Sequence, residues 1–158
     1  MTWERGREKI ERLLAAGELE RVTASADVAD RLMHDAEAHM TLAAKGTEID
    51  PAGALQLAYD AARKASAALL AVQGLRATTR GGHIAVIDGV RAQFSDPGGI
   101  EVFGRIGRLR RRRNTTEYPS MESPGVLADE AEQALALAGE VFEAANRLLR
   151  SGRVDEFR

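Results

Sequence analysis

A stretch of small apolar residues between positions 50 and 74 constrains the fold of this chain more than any other feature. Asp50 and Pro51 form a typical helix start, because aspartate caps a helix and proline suits its first turn, and Gly74 is a typical helix end. Between them, apolar side chains recur at alternating intervals of three and four: Leu55, Ala58, Ala62, Ala65, Leu69 and Val72. This spacing places them on one face of a helix, and their small size lets neighbouring helices approach closely. We therefore predict one long helix here, packed against others.

The same helical period recurs along the rest of the chain, whereas no segment shows sustained alternation with period two. We therefore predict an all-α fold, and connections of about three to eight residues favour an up-and-down antiparallel helical bundle. It would have four to five main helices plus a short N-terminal helix. The other predicted helices cover about Trp3–Ala15, Ser25–Lys45, Thr78–Phe94, Ile100–Pro119 and Ser123–Gly152.

The chain shows no internal repeat and no linker, so we expect one domain. The helical stripes place Val28, Ile84 and Leu127 among the residues that face the core, and Asp96–Gly99 is a strong turn signal. The predicted organisation, in chain order, is an N-terminal helical extension at residues 1–24, the bundle at 25–150 and a frayed polar tail at 151–158.

The composition excludes several classes of protein. With 44% hydrophobic and 29% charged residues, the 158-residue chain has the balance of a globular domain. It contains no cysteine, which excludes disulfides, thiolate metal sites and a cysteine nucleophile. Its net charge of −2 gives no overall attraction to nucleic acid, so any such attraction must be local. No apolar stretch is long enough to span a membrane and the first residues are too charged for a signal peptide, so we expect a cytoplasmic protein.

The charged segment RLRRRRNTTEYP, residues 108–119, contains the strongest candidate for a binding site. The apolar stripe of its helix ends at Leu109, and Arg113, four residues further on, lies where that stripe would continue. A guanidinium on a packed face needs a carboxylate, carbonyl groups or a phosphate as its partner. Arg111 and Arg112 point mostly elsewhere and are predicted to be solvated. The full set of polar positions on the continued stripe is Arg110, Arg113 and Glu117.

Two interpretations of Arg113 are open from the sequence. Glu117 lies four residues later and can form an intrahelical ion pair, which contributes only about 0.2–0.5 kcal/mol. Alternatively, Arg113 surrounds an anion together with Asn114 and Tyr118, which share the neighbouring face of the helix.

The segment Arg113-Asn114-Thr115-Thr116-Glu117-Tyr118, late in the penultimate helix of a small bundle, resembles the signature of HEPN domains (higher eukaryotes and prokaryotes nucleotide-binding). In RNA-cleaving members that signature is an arginine, a polar residue that is often asparagine, three variable residues and a histidine. Three further segments resemble one bacterial branch of the family: Ala62–Ala65, Gly74–Arg76 and Arg80–His83. The resemblance extends from about Ser25 to Leu149.

The resemblance implies a helical bundle that forms a homodimer through the face carrying the motif, so that two polar sites meet across a two-fold cleft. It also implies RNA or a nucleotide as ligand, and a nucleotidyltransferase as the partner in a toxin–antitoxin pair. Carried over to this chain, Arg113 is the family's arginine and Asn114 its polar neighbour. Tyr118 stands where RNA-cleaving members have histidine, and the register adds Arg110 and Glu117 as binding residues.

The tyrosine changes the chemistry that can be expected. RNA cleavage without a metal needs a group that takes the 2′-hydroxyl proton and a positive charge that stabilises the phosphate. Histidine, with a pKa of about 6.5, suits that proton transfer, whereas tyrosine, at about 10, is a poor base. His83 follows a glycine pair at the start of a helix, where it can replace the imidazole or be a surface or capping residue. The three histidines are scattered, so we expect no metal site and no cofactor.

Three hypotheses follow from the sequence. The chain is a dimeric protein that binds RNA or a nucleotide at Arg113 and, if active, a metal-independent endoribonuclease. Alternatively, it is a non-catalytic module that binds a nucleotidyltransferase or another protein, as the loss of the histidine at Tyr118 favours. In the third hypothesis the arginines are only the solvated face of a structural bundle.

Overall fold

In a computed structural model, which describes residues 4–95 and 101–158, helices account for almost all regular structure. The helices are α1 (Arg7–Ala15), α2 (Ala26–Gly46), α3 (Pro51–Val72), α4 (Gly82–Phe94), α5 (Val102–Glu117) and α6 (Ala128–Arg150), and the strands are β1 (Leu19–Arg21) and β2 (Leu75–Ala77). The predicted all-α bundle with a short N-terminal helix is confirmed. Trp3, Ile100 and the turn at Asp96–Gly99 lie outside the described residues.

Helix α3 is the element around which the bundle packs, since it contacts α2, α4, α5 and α6. Its predicted seam is buried from Leu55 to Leu69, with Ala58, Ala62 and Ala65 each 0% exposed, and only Val72 at its end is half-buried. The helix begins as predicted, because the Asp50 carboxylate accepts a hydrogen bond from the Gly53 N–H at 2.9 Å. The alanine face lets the neighbouring helices lie close to α3.

A short antiparallel ribbon joins β1 to β2, with Leu19 opposite Ala77. It was not predicted, because each strand has only three residues and is too short to show alternation. Gly74 is required beside it: its φ is +73°, and a Cβ there would lie 2.8 Å from the Val22 carbonyl oxygen. Ile10 and Leu19 are buried in the same core as the bundle, so residues 4–24 are part of it rather than an appendage.

The C-terminal segment is anchored, so the prediction of a frayed tail at residues 151–158 is wrong. Phe157 is only 3% exposed and belongs to the main core. Its N–H donates to the Gln73 carbonyl at 2.9 Å, and the guanidinium groups of Arg7 and Arg21 lie 5.0 and 5.2 Å from its ring centre. One aromatic residue in a polar tail has no periodicity that could predict this contact.

Three residues assigned to apolar stripes from the sequence are exposed. Val28 is 50% exposed because it lies in the first turn of α2. Ile84 is 49% exposed because it lies in the first turn of α4, and Leu127 is 67% exposed because it precedes α6, which begins at Ala128 rather than near Ser123. None of the helices in the described ranges combines the length and the apolarity that crossing a lipid bilayer requires.

Candidate anion-binding cleft

A cleft of about 360 Å³ lies where α3, α4 and α5 meet. Its lining residues are Gly53, Gln56, Leu57, Tyr59, Asp60, His83 and Arg113. Five of them come from the first half of α3, while α4 contributes His83 and α5 contributes Arg113. Two candidates from the sequence, His83 and Arg113, are therefore brought to one cleft although 30 positions separate them.

Tyr59 connects the two candidates. Its hydroxyl oxygen lies 3.1 Å from His83 Nδ1, a hydrogen bond, and the two rings are tilted by 43° with their centroids 5.7 Å apart. The guanidinium carbon of Arg113 lies 5.9 Å from the centre of the same phenol ring, within the range of a cation–π contact. Tyr59 is 1% exposed, so its ring is fixed in the core, and the guanidinium of Arg113 on α5 lies against it.

Burial and nearby arginines shift the acid–base properties of this pair. Burial raises the pKa of Tyr59, and the charges of Arg63, Arg110 and Arg113 only partly oppose that shift. Burial also lowers the pKa of His83, and the charges of Arg63 and Arg113 lower it further. Tyr59 is therefore a neutral phenol and His83 a neutral imidazole at pH 7. The pair offers hydrogen bonds without adding charge, while the arginines make the cleft positive.

Asp60 is the acidic group of the cleft, and its charge is already compensated. Arg63 Nε donates to Asp60 Oδ1 at 3.0 Å, while Asp60 Oδ2 lies 3.4 Å from Lys64 Nζ and 3.1 Å from His39 Nε2. Burial by itself raises the pKa of Asp60, but the hydrogen bond and charge of Arg63, with Lys64 and His39, lower it overall. Asp60 is therefore an ionised carboxylate held by Arg63 and Lys64 of α3, with His39 of α2 in contact.

Arg113 is half-buried, and the predicted intrahelical ion pair with Glu117 is present. Its Nη1 also donates to Asn114 Oδ1 at 3.4 Å, so three of the sequence candidates are in contact. Tyr118 is not part of this group: it is 76% exposed and lies at the C-terminal end of α5, directly before Pro119. Of the HEPN-like motif, the arginine faces the cleft, whereas the tyrosine faces solvent.

The exposure of the other arginines in residues 108–113 agrees only in part with the prediction. Arg110 is half-buried and close enough to influence Tyr59 and His83, and Arg111 is exposed as predicted. The prediction of a solvated Arg112 is wrong. Its guanidinium pairs with both carboxylate oxygens of Glu130 and donates to the carbonyl groups of Pro124 and Gly125 at 3.2 and 3.3 Å. Arg112 therefore fixes the connection from α5 to α6.

Five cleft residues were not singled out from the sequence: Gly53, Gln56, Leu57, Tyr59 and Asp60. Tyr59 lies directly beside the alanine seam, and a large aromatic side chain among alanines was the sequence feature that could have marked it as a candidate. Within the described ranges, histidine and acidic side chains form no group of three or more that could hold a metal ion. The chain matches no protein-family model, and neither a curated protein nor a solved structure matches it significantly.

Proposed function

We propose that this chain is a HEPN-type protein that binds RNA or a nucleotide, with a phosphate group held in the cleft beside Arg113. One observation carries the proposal: a half-buried guanidinium meets a neutral tyrosine–histidine pair in a cleft that further arginines make positive. A solvated charge run, the third hypothesis from the sequence, does not account for an arginine resting on a buried phenol ring.

The groups of the cleft suit a phosphate in number and kind. A guanidinium binds phosphate oxygens through two parallel hydrogen bonds, and such charge-assisted bonds are roughly twice as strong as neutral ones. Tyr59 and His83 carry two hydrogens between them; one forms their mutual hydrogen bond, and the other can be donated to a phosphate oxygen. Asp60 would repel a phosphate, but Arg63 and Lys64 offset its charge. The positive charges around the cleft therefore favour the binding of an anion.

The test compares two arginines of the same helix. Arg113→Ala should weaken RNA binding about tenfold or more, since a hydrogen bond to a charged group contributes about 1.5–3 kcal/mol. Arg111→Ala removes the same charge from an exposed position and should change the affinity much less. Binding is measured by fluorescence anisotropy at several salt concentrations, because phosphate contacts make affinity fall with salt. Equal effects of the two substitutions, or no binding at low salt, would refute the proposal.

RNA cleavage is a second candidate, favoured by the neutral imidazole of His83 beside the cation of Arg113. With Nδ1–H donated to the Tyr59 oxygen, Nε2 is free to take the proton of a 2′-hydroxyl. That oxygen then attacks phosphorus, the bond to the 5′-oxygen breaks, and the leaving oxygen takes a proton from water. His83→Ala should abolish cleavage with RNA still bound, whereas Tyr118→Phe should change neither. Cleavage that persists in His83→Ala would overturn this role.

The alternative of an interaction module is favoured by the segment between α5 and α6. Tyr118, Met121 and Leu127 are 76%, 105% and 67% exposed, so three large side chains of one connection face solvent. Such groups are typical of protein interfaces. The homodimer and the nucleotidyltransferase partner stay predictions. Light scattering of wild type and of Met121→Ser tests the first, and co-purification with the neighbouring gene product tests the second; a monomer that captures no such partner would exclude both.

A further inference from the structure

We infer that a second cavity binds a small apolar carboxylate of the fatty-acid class, with the carboxylate at Arg63 and Arg76 and the tail against apolar walls. The cavity lies between α2, α3, β2 and α4 and has a volume of about 650 Å³. None of the described residues that line the Arg113 cleft lines this cavity. The inference therefore does not depend on the proposed function.

The walls of this second cavity are mainly apolar and fixed. Ten of the fourteen described residues that line it are apolar. Leu70, Leu75 and Val86 are 1%, 2% and 5% exposed and belong to the core, whereas Val28, at 50%, lies at the opening. Small-molecule sites have volumes of about 300–1,000 Å³, mostly apolar walls and a few polar groups that orient the ligand. The cavity has this composition, and its volume is in the middle of that range.

Short side chains on α3 and a hydrogen-bonded connection bound the cavity. Ala67 and Ala71, one turn apart on α3, line it and fill little of the space beside the helix. Val22 and Ser25 line it from the connection between β1 and α2. Their N–H groups donate to the carbonyl groups of Gly74 and Ala71 at 2.9 and 3.0 Å. The cavity is therefore part of the folded bundle and not a gap between loose segments.

Two arginines are the charged residues that line the cavity, and no described lining residue is acidic. Arg63 binds the carboxylate of Asp60 through Nε and Nη2. Arg76 binds that of Glu20 through the same two nitrogen atoms. Within residues 4–95 and 101–158, Nη1 of neither arginine donates a hydrogen bond. Both Nη1 groups therefore remain available as charge-assisted donors, which carboxylate oxygens accept.

The neighbouring carboxylates limit the charge that the head group of the ligand can carry. Asp60 and Glu20 already offset the charges of the two arginines, so directional hydrogen bonds hold the head group more than net charge does. A carboxylate brings one negative charge and two acceptor oxygens, whereas a phosphate monoester brings a charge of about −1.5 to −2. An ammonium group has no acceptor for the arginine donors. A carboxylate on an apolar tail therefore fits both the donors and the walls.

The experiment measures binding of decanoate, decanol, decylamine and octanoate to the full chain by calorimetry at neutral pH, below the concentrations at which these compounds aggregate. We expect decanoate to bind about tenfold more tightly than decanol, because a hydrogen bond to a charged group is stronger than one to a neutral group. Decylamine should bind more weakly than either. Octanoate should bind about fifteenfold more weakly than decanoate, because it buries two methylene groups fewer.

Substitutions in the cavity test where the head group and the tail lie. Arg63→Met removes a half-buried donor but keeps an unbranched side chain, so it should weaken decanoate about tenfold and leave decanol unchanged. Arg147→Met, at an exposed position of α6, is the matched control. Because Arg63 also holds Asp60, a second variant is needed: Ala67→Leu fills the cavity one turn from Arg63 and should weaken decanoate and decanol alike. Ala136→Leu, also exposed on α6, is its control, and circular dichroism verifies that each variant is folded.

Arg113→Ala distinguishes this cavity from the anion-binding cleft and should leave the affinity for decanoate unchanged. If Arg113→Ala abolishes decanoate binding, the ligand occupies the cleft and the inference is overturned. It is equally overturned if decanoate does not bind, if decanol binds as tightly as decanoate, if octanoate and decanoate bind alike, or if Ala67→Leu has no effect. Loss of decanoate binding in both Arg63→Met and Ala67→Leu, with no loss in Arg113→Ala, supports a separate carboxylate site whether or not RNA binds in the cleft.

Discussion

Phe157→Ala gives the strongest test of how the end of the chain is held. Complete burial of a phenylalanine side chain contributes about 1.5–3 kcal/mol, and Phe157 is 3% exposed. Two guanidinium groups lie 5.0 and 5.2 Å from its ring centre, and each such contact adds about 0.5–1 kcal/mol. The sum is about 2.5–5 kcal/mol, close to the cost of about 3–5 kcal/mol seen when a core phenylalanine is truncated to alanine.

Urea denaturation followed by circular dichroism measures this loss as a lower midpoint at an unchanged slope. A loss of about 3–5 kcal/mol would lower the melting temperature by roughly 6–20 °C in a chain of this length. Phe157→Leu keeps an apolar side chain but removes the aromatic face, so it should lose only about 1–2 kcal/mol. Glu156→Ala, at an exposed neighbouring position, should change stability by less than about 0.5 kcal/mol. If Phe157→Ala is as stable as Glu156→Ala, the anchored tail is refuted and the frayed tail stands.

Three further predictions concern charged groups. Burial and nearby arginines lower the pKa of His83, so at mildly acidic pH the unfolded chain binds a proton more readily than the folded chain does. The free energy of unfolding should therefore fall as the pH drops below about 6.5. His83→Gln should flatten this dependence in urea titrations at pH 5 and 7.5. Because the pKa of Asp60 is lowered overall, its stabilisation is present at neutral pH and lost as the pH falls below about 4, so Asp60→Asn should cost about 1 kcal/mol at pH 7 and less at pH 3. Arg112→Ala should destabilise the chain by about 1 kcal/mol and Arg111→Ala by less than about 0.5 kcal/mol; equal losses would contradict the fixed connection between α5 and α6.

The helices could be predicted wherever the sequence carries both a period and an end signal. Asp50 and Pro51 predicted the correct first residue of α3, because capping is a local interaction that depends only on nearby backbone groups. The start of α6 was placed too early, near Ser123, because serine and proline also occur in connections that do not continue as a helix. Helix ends could therefore be predicted only where they depend on neighbouring residues in the sequence.

The elements that were missed all depend on contacts between distant parts of the chain. The ribbon pairs Leu19 with Ala77, and the tail pairs Phe157 with Gln73, so each needs a partner that no local pattern identifies. Arg112 shows the same limit for charge. Helix register gives the direction of its side chain, but Glu130, its partner, lies on a different helix.

The cleft follows from the side-chain sizes along α3. Ala58 and Ala62 let the neighbouring helices close over the seam, but Tyr59 is too large for that spacing, and its hydroxyl reaches the boundary with α4, where it meets His83. On α5 the apolar stripe ends at Leu109, and the next residue on that face, Arg113, lies beside the Tyr59 ring. A cation on a packed face needs compensating contacts, and Arg113 has two: the Tyr59 ring and the carboxylate of Glu117. The Tyr59 ring therefore helps to hold the Arg113 guanidinium, and the open space beside them is the space in which we place the ligand.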